Sequence, residues 1–244
     1  MYFKIKQAVK HIIPEKWLQK HQDKLRPIVA LFYKGERFHC NICHFKMAQF
    51  ITLTDEKVLC PNCGSLSRTR RLWHIIEPTL PHKKVLHFSP PRGFSKVLEN
   101  LNDMIYEPSD YMGEFQAKRR FNIEAIDAPS NTYDVIICYH VLEHINQDLQ
   151  AMTELYRVLK PQGKCYIQTP FKFGDIYEDE TIKTPSDRLK HFGQEDHLRV
   201  YSVEGLDNRL KSVGFSTTAI NFTEDKDNYN GFNITETVIV AQKI

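Results

Sequence analysis

Residues 133–169 read YDVIICYHVLEHINQDLQAMTELYRVLKPQGKCYIQT, and the reading of this stretch decides the fold. Asp134 is followed by Val135, Ile136, Ile137 and Cys138, a short apolar run rich in β-branched residues. Such a run fits a strand buried on both faces of a parallel sheet. Asn146 is placed to cap the helix that follows. Leu149, Met152, Tyr156 and Leu159 recur at spacings of three and four, which predicts one buried helical face. Pro161 and Gly163 stop the helix. Cys165, Tyr166, Ile167 and Gln168 then begin a second strand. Strand, helix and strand make a βαβ unit, almost always right-handed. On pattern alone, any doubly wound α/β protein would fit.

Particular residues narrow this. Tyr133-Asp134-Val135-Ile136, His140-Val141-Leu142-Glu143-His144 and Leu155-Tyr156-Arg157-Val158-Leu159-Lys160-Pro161-Gln162-Gly163 stand in order. Together they resemble strands four and five of class I S-adenosylmethionine-dependent methyltransferases. The nearest is the type 11-like branch reading FDVI…HVLEHI…ELYRVLKPGG; Gln162 replaces the first glycine of the usual pair. The resemblance implies a doubly wound, mostly parallel, seven-stranded Rossmann-like sheet over residues 82–244. It also implies S-adenosylmethionine as methyl donor.

Outward from that stretch, composition sets bounds. A chain of 244 residues is long enough for a full core in one or two domains. No run of eighteen apolar residues suggests a spanning helix. The N-terminal MYFKIKQAVKHIIPEKW lacks the apolar core and cleavage site of a signal peptide, so a cytoplasmic location is expected. The formal charge of +3 is unevenly spread: residues 1–84 carry 16 Lys and Arg against 6 Asp and Glu, whereas the remainder carries 17 against 24. A basic N-terminal module therefore precedes an acidic one. Such asymmetry fits contact with nucleic acid or an anionic membrane surface, or simply a solvated face.

Residues 1–36 read as basic amphipathic helices. Ile5, Val9, Ile12 and Ile13 form one stripe; Trp17, Leu18, Leu25 and Ile28 resume it after Pro14. A helix lying on a membrane surface has this pattern, as does one packed on its own domain. Residues 37–81 follow as a zinc-ribbon-like module. Cys40-Asn41-Ile42-Cys43 and Cys60-Pro61-Asn62-Cys63, sixteen residues apart, have the spacing of a structural zinc site. Four thiolates make a closed tetrahedron of soft ligands for Zn²⁺, with no position left for water. Gly64 allows the tight turn of a knuckle, and His39 and His44 are rival ligands. A hairpin is expected between Phe45 and Leu59. The run Arg68-Thr69-Arg70-Arg71 could grip phosphate or form the wet face of a helix whose Leu72, Trp73 and Ile76 point inward.

In the third segment, residues 82–244, the methyltransferase resemblance assigns donor-binding positions. Strand one, Val85 to Phe88, ends at Ser89-Pro90-Pro91-Arg92-Gly93, where the family has an acidic residue and GxGxG. Only Gly93 survives, and His87 replaces the acid. Phe88, Ser89 and Gly93 are the positions expected near the donor here. Asp110, past strand two, is expected to take the ribose hydroxyls, with Glu107 as alternative. Asn122 and Ile123, on an expected strand three, would meet the adenine. Tyr139 and His140 leave strand four at the carboxyl edge, where ligands bind in such sheets. The CYHV reading there departs from the [DN]PP[FYW] of enzymes that methylate exocyclic amines of bases, and a Pro-Cys nucleophile is missing.

An insertion after strand five, Pro170 to Tyr201, is charged, aromatic and without evident period. Its core RLKHFGQEDHLR is similar to the FGQEDHVR segment of the same branch. His140, His191 and His197 are the candidate catalytic bases; Glu195, Asp196 and Arg199 either orient charge or lace a lid. His144 reads as structural. The expected activity is methyl transfer to a small molecule, sugar or lipid-linked glycan. An RNA methyltransferase using the basic zinc module is the alternative, and a non-catalytic binding protein on a degenerate fold is the third reading.

Overall fold

The computed structural model describes residues 25–53, 58–115, 117–223 and 227–244. Most of the expected N-terminal amphipathic segment, residues 1–24, lies outside them. The chain forms two compact units. The first takes in Met1–Pro78, Gly93–Asn100 and Thr223–Ile234; the second takes in Thr79–Arg92, Leu101–Phe222 and Thr235–Ile244. Two segments beyond residue 82 thus belong to the unit that carries the cysteines.

In the first unit, β1 (Lys34–His39) pairs antiparallel with β2 (Lys46–Met47), and β3 (Ile51–Thr52) with β4 (Val58–Leu59). The second pairing lies where a hairpin is expected between the cysteine pairs; the first, which spans Cys40–Cys43, is not foreseen in the sequence reading. Helix α1 (Ser67–Ile76) follows, burying Leu72, Trp73 and Ile76 as its spacing predicts. It also buries Arg70 and Arg71. Trp73 meets Phe94 edge-on at 5.9 Å between ring centroids, and Arg71 lies 4.0 Å over the Phe232 ring. These contacts draw residues 93–100 and 223–234 into this unit.

The second unit is built on β5 (Lys84–Phe88), β6 (Ile105–Ser109), β7 (Tyr133–Tyr139), β8 (Leu159–Gln168), β11 (Phe215–Phe222) and β12 (Glu236–Lys243). They form one sheet in the order β11-β12-β8-β7-β5-β6. β6, β5, β7 and β8 run parallel; β12 pairs antiparallel with both β8 and β11. Helix α2 (Arg92–Glu99), next in the chain after β5, belongs from Gly93 onward to the first unit, and α3 (Asp148–Val158) comes between β7 and β8. The central strands are buried on both faces, as their near-continuous apolar runs require.

Two details differ from the sequence reading. Among the described residues the sheet has six strands, not seven. The segment expected as strand three folds back on itself: Asn122 bridges Ala125, and its Oδ1 accepts the Glu124 N–H at 3.0 Å. Asn favours such side-chain-to-backbone turns over a ladder. Phe121, Ile123 and Ile126 still plug into the core. Helix α3 is also rotated from the expected face. Ala151, Met152, Leu155 and Val158 are inward, whereas Leu149 is exposed and Leu159 already begins β8. Its N-cap is Gln147, without a side-chain cap bond.

His87, standing where the family has an acid, is buried in β5 with Nδ1 3.0 Å from the Tyr106 hydroxyl. Burial lowers its pKa from 6.5 to about 3. The folded state therefore holds a neutral imidazole. Between those two values only the unfolded chain binds the proton, so stability falls as pH drops through the window. The slope from this residue is about 1.4 kcal/mol per pH unit. Urea unfolding at pH 7, 6 and 5 should lose stability more steeply in the wild type than in His87→Phe. Parallel slopes would mean that burial leaves the proton affinity of His87 unchanged.

Candidate active site and metal centre

The metal centre is built by two knuckles of the same geometry. The Cys40 N–H donates to the Phe45 carbonyl and the His44 N–H to the Cys40 carbonyl. The Cys60 and Gly64 N–H groups repeat this with Ser65 and Cys60. His44 and Gly64 occupy the equivalent left-handed position, with φ of 56° and 76°. Cys40 and Cys63 sulfurs are 3.7 Å apart, as are those of Cys43 and Cys60. All four lie within 4.8 Å of one another. A tetrahedron of Zn–S bonds near 2.3 Å requires sulfur separations of roughly 3.8 Å, so the residues fit the ion. His44 is spent on the turn, and His39 lies 3.3 Å from the Asn230 amide.

Four thiolates holding Zn²⁺ would carry a net charge of −2, and Arg70 lies close enough for its charge to feel theirs. Its guanidinium, fully buried, donates to the carbonyls of Ser65 at 2.5 Å, Asn230 at 2.5 Å and Gly231 at 2.6 Å. Burial lowers its pKa, and the field of the cysteines opposes that loss. Gly93 belongs to this unit as well: a Cβ there would collide with the Cys63 carbonyl oxygen. The one glycine left from the donor-side turn is thus demanded by the ribbon. It serves a backbone approach that the sequence does not reveal.

At the carboxyl edge of the sheet, β5 is followed by Ser89, which takes φ of 46°, and β6 by Asp110. The Ser89 hydroxyl donates to Asp110 Oδ1 at 3.2 Å and the Phe115 N–H to Oδ2 at 2.9 Å. Each oxygen retains capacity for another donor. Glu107 is engaged otherwise, accepting from the Tyr133 hydroxyl at 2.7 Å and pairing with Lys84 and Arg119. Phe88 and Ile123 lie in the core cluster, and Asn122 Oδ1 serves its own turn. Tyr139 is half-buried at the end of β7.

His140, next along, has φ of 54°, and its N–H donates to the Gln168 carbonyl at 2.8 Å. Its Nδ1 is 3.2 Å from Oε1 of buried Glu143. Burial raises the Glu143 pKa, but the His140 hydrogen bond and the neighbouring histidines outweigh it and hold the carboxyl below its usual range. A buried carboxylate orienting an imidazole is the base-and-orienter arrangement of general base catalysis.

The insertion is more ordered than its composition suggests. β9 (Tyr177–Glu178) pairs with β10 (Arg199–Val200), and α4 (Pro185–Phe192) lies between them. Thr184 caps α4 by accepting the Asp187 N–H, Pro185 opens it, and Gly193 closes it at φ of 87°. These are ordinary helix start and stop signals, legible in the sequence. Arg199 is structural here. It donates to the carbonyls of Leu142, Ile145 and Asn146 and pairs with Glu178 at 2.8 Å. Arg209, on α5 (Val203–Ser212), bonds both Asp148 and Glu178. His191 is exposed, with Nδ1 2.7 Å from the Tyr177 hydroxyl. His197 is buried, with Nδ1 3.1 Å from the Phe192 carbonyl.

The structure joins residues that the sequence reading kept apart. The Leu198 N–H donates to the Glu143 carbonyl at 2.9 Å, so His197 comes to the turn after β7. The His144 and His197 rings meet edge-on with centroids 4.7 Å apart. Glu143 Oε2, His197 Nε2, Gln168 Oε1 and Thr169 Oγ1 are buried without a hydrogen-bond partner among the described residues. Such a concentration at one sheet edge is what a ligand site looks like before its ligand is added.

A family model described as a methyltransferase domain matches residues 70–220, more than half of the chain. The chain belongs to this methyltransferase family. A solved S-adenosylmethionine-dependent methyltransferase from Archaeoglobus fulgidus is 16% identical, with a TM-score of 0.53 over 72% of this chain and 93% of that one. A phosphoethanolamine N-methyltransferase from Haemonchus contortus, solved with S-adenosylhomocysteine, is 14% identical, with a TM-score of 0.51 over 72% and 52%. An uncharacterised protein of Methanocaldococcus jannaschii is 32% identical over 45% of this chain. A mitochondrial arginine hydroxylase of Rattus norvegicus is 26% identical over 44%. The matches span 52% and 32% of those two curated relatives. No helix among the described residues is long and apolar enough to cross a membrane.

The chain purified without added metal should carry one tightly held zinc at Cys40, Cys43, Cys60 and Cys63. Cys40→Ser should release it and lower the melting temperature of the first unit, because metal binding is folding free energy in such modules. Elemental analysis and calorimetry check both; a metal-free, fully folded wild type would refute the assignment.

Proposed function

We propose that the chain is an S-adenosylmethionine-dependent methyltransferase acting on a small-molecule, sugar or lipid-linked glycan acceptor. The observation that carries this reading is Asp110: a buried carboxylate at the carboxyl end of β6, beside the left-handed turn at Ser89. Its spare lone pairs suit a vicinal diol such as ribose. The donor, when bound, supplies an electrophilic methyl on a sulfonium. The chain's part is to hold that donor, align the acceptor and exclude water. His140, oriented by Glu143, is the residue we assign to take a proton from a hydroxyl acceptor. The insertion, fastened by Arg199 to the turn after β7, is the segment we assign to the acceptor.

The RNA reading loses part of its support. Arg70 and Arg71 are buried; Arg70 is spent on backbone carbonyls and Arg71 on the Phe232 ring. A phosphate grip needs such residues at the surface. The turn after β5 also lacks the family's glycine-rich cradle, so donor binding is the step to test first.

Calorimetry with S-adenosylmethionine and S-adenosylhomocysteine should detect binding of both. Asp110→Ala should weaken it by about 1.5–3 kcal/mol, the scale of a hydrogen bond to a charged group. Glu107→Ala should leave donor affinity near the wild-type value and lower stability instead, since Tyr133, Lys84 and Arg119 lose their partner. The reverse ranking would overturn the placement of the ribose site. No binding of either compound would favour a non-catalytic role.

A further inference from the structure

We infer that Glu143, His144 and His197 form a second metal site, distinct from the four cysteines, for a divalent first-row transition ion. The three side chains offer ligand atoms that all lie within 4.8 Å of one another. Binding an ion with bonds near 2.1 Å would draw them to the roughly 3–3.5 Å between neighbouring ligands.

The polar atoms around these residues fall into two sets. The Nδ1 atoms face acceptors: Asp196 Oδ2 lies 3.1 Å from His144, and the Phe192 carbonyl 3.1 Å from His197. A metal-ligating histidine almost always donates its far N–H to a carboxylate or carbonyl, which fixes the tautomer and aims the lone pair of the other nitrogen. Both rings have such an acceptor. The remaining atoms are in want of a partner. His197 Nε2 and Glu143 Oε2 are buried with no hydrogen-bond partner among the described residues, although the two residues are only 2% and 1% exposed. Leaving a buried carboxylate oxygen and a buried imidazole nitrogen unmatched costs stability that one cation would recover. Glu143 Oε1 is meanwhile held by His140, which leaves Oε2 available.

Two imidazoles and one carboxylate are borderline ligands. They suit manganese, iron, cobalt or zinc, and fit poorly the all-oxygen sets of magnesium and calcium. Three protein ligands leave at least one coordination position for an oxygen of a bound molecule. The site stands whether or not the chain transfers methyl groups. It makes His197 a ligand rather than a free base.

Cobalt(II) is the probe that separates the two sites, because cobalt on thiolates gives a strong sulfur charge-transfer band and cobalt on nitrogen and oxygen does not. The full chain should take up one Co²⁺ beyond that held by the cysteines, adding visible ligand-field absorption without further charge-transfer intensity. Excess Mg²⁺ should not displace it. Glu143→Gln and His144→Ala should each lose this equivalent and keep the thiolate band. His144 is partly exposed, at 29% for its side chain, so its variant reports even if Glu143→Gln does not fold. No uptake beyond the cysteines, uptake unchanged in His144→Ala, or displacement by Mg²⁺ would overturn the assignment.

Discussion

The guanidinium of Arg199 is the interaction on which the site depends. A parallel sheet presents its carboxyl edge as loops, and loops carry carbonyls that need donors once covered. Arg199 supplies them to Leu142, Ile145 and Asn146 together, while its charge is met by Glu178 and, at 3.9 Å, by Asp148. One residue of the insertion thereby ties down the turn that bears Glu143 and His144. Arg209 and the Tyr201 hydroxyl share Asp148, so this is a network rather than a pair. Removing one member of a buried ionic network leaves the others unpaired, which is why such networks hold geometry more than they add stability.

The cysteine unit obeys the same rule with a different charge. Four thiolates around a divalent cation would leave an excess of negative charge in a buried place. Arg70 sits within its reach and spends its donors on carbonyls from residues 65, 230 and 231. Distant parts of the chain are thereby recruited to the ribbon. Gly93 is part of this arrangement, since only a residue without a Cβ tolerates the Cys63 carbonyl. A substitution that nominally concerns the donor turn would act first on the cysteine unit.

Residues other than glycine take left-handed backbone in or beside the sheet. Ser89 and His140 adopt left-handed backbone without being glycine, a costly conformation that persists where the surroundings over-determine it. Both stand where a parallel strand ends and the chain must turn sharply. Gln162, at φ of 63°, does the same where the family has glycine, and its side chain meets Gln242 of β12 at 2.9 Å. The departures from the family pattern at these positions are therefore accommodated by the backbone rather than by a change of fold.

By itself the sequence determined the βαβ unit at 133–169 and the cysteine quartet, because each is a local pattern. A continuous apolar run followed by helix stop signals and a two-residue gap between thiols need no distant partner to be read. Helix α4 was also written locally, in Thr184, Pro185 and Gly193, and was obscured by the charge around it. Tertiary structure alone decided the rest. The buried face of α3 was set by which side of the helix met the sheet, which put Ala151, Leu155 and Val158 inward in place of Leu149 and Leu159. Asn122 preferred a turn to a seventh strand once Phe121 and Ile123 could reach the core without a ladder. Arg70 and Arg71 became internal because carbonyls from residues 230–233 came to them. Glu143, His144 and His197 met only because Arg199 and the Leu198 amide brought the insertion back to β7; no spacing along the chain encodes a contact made by a fold.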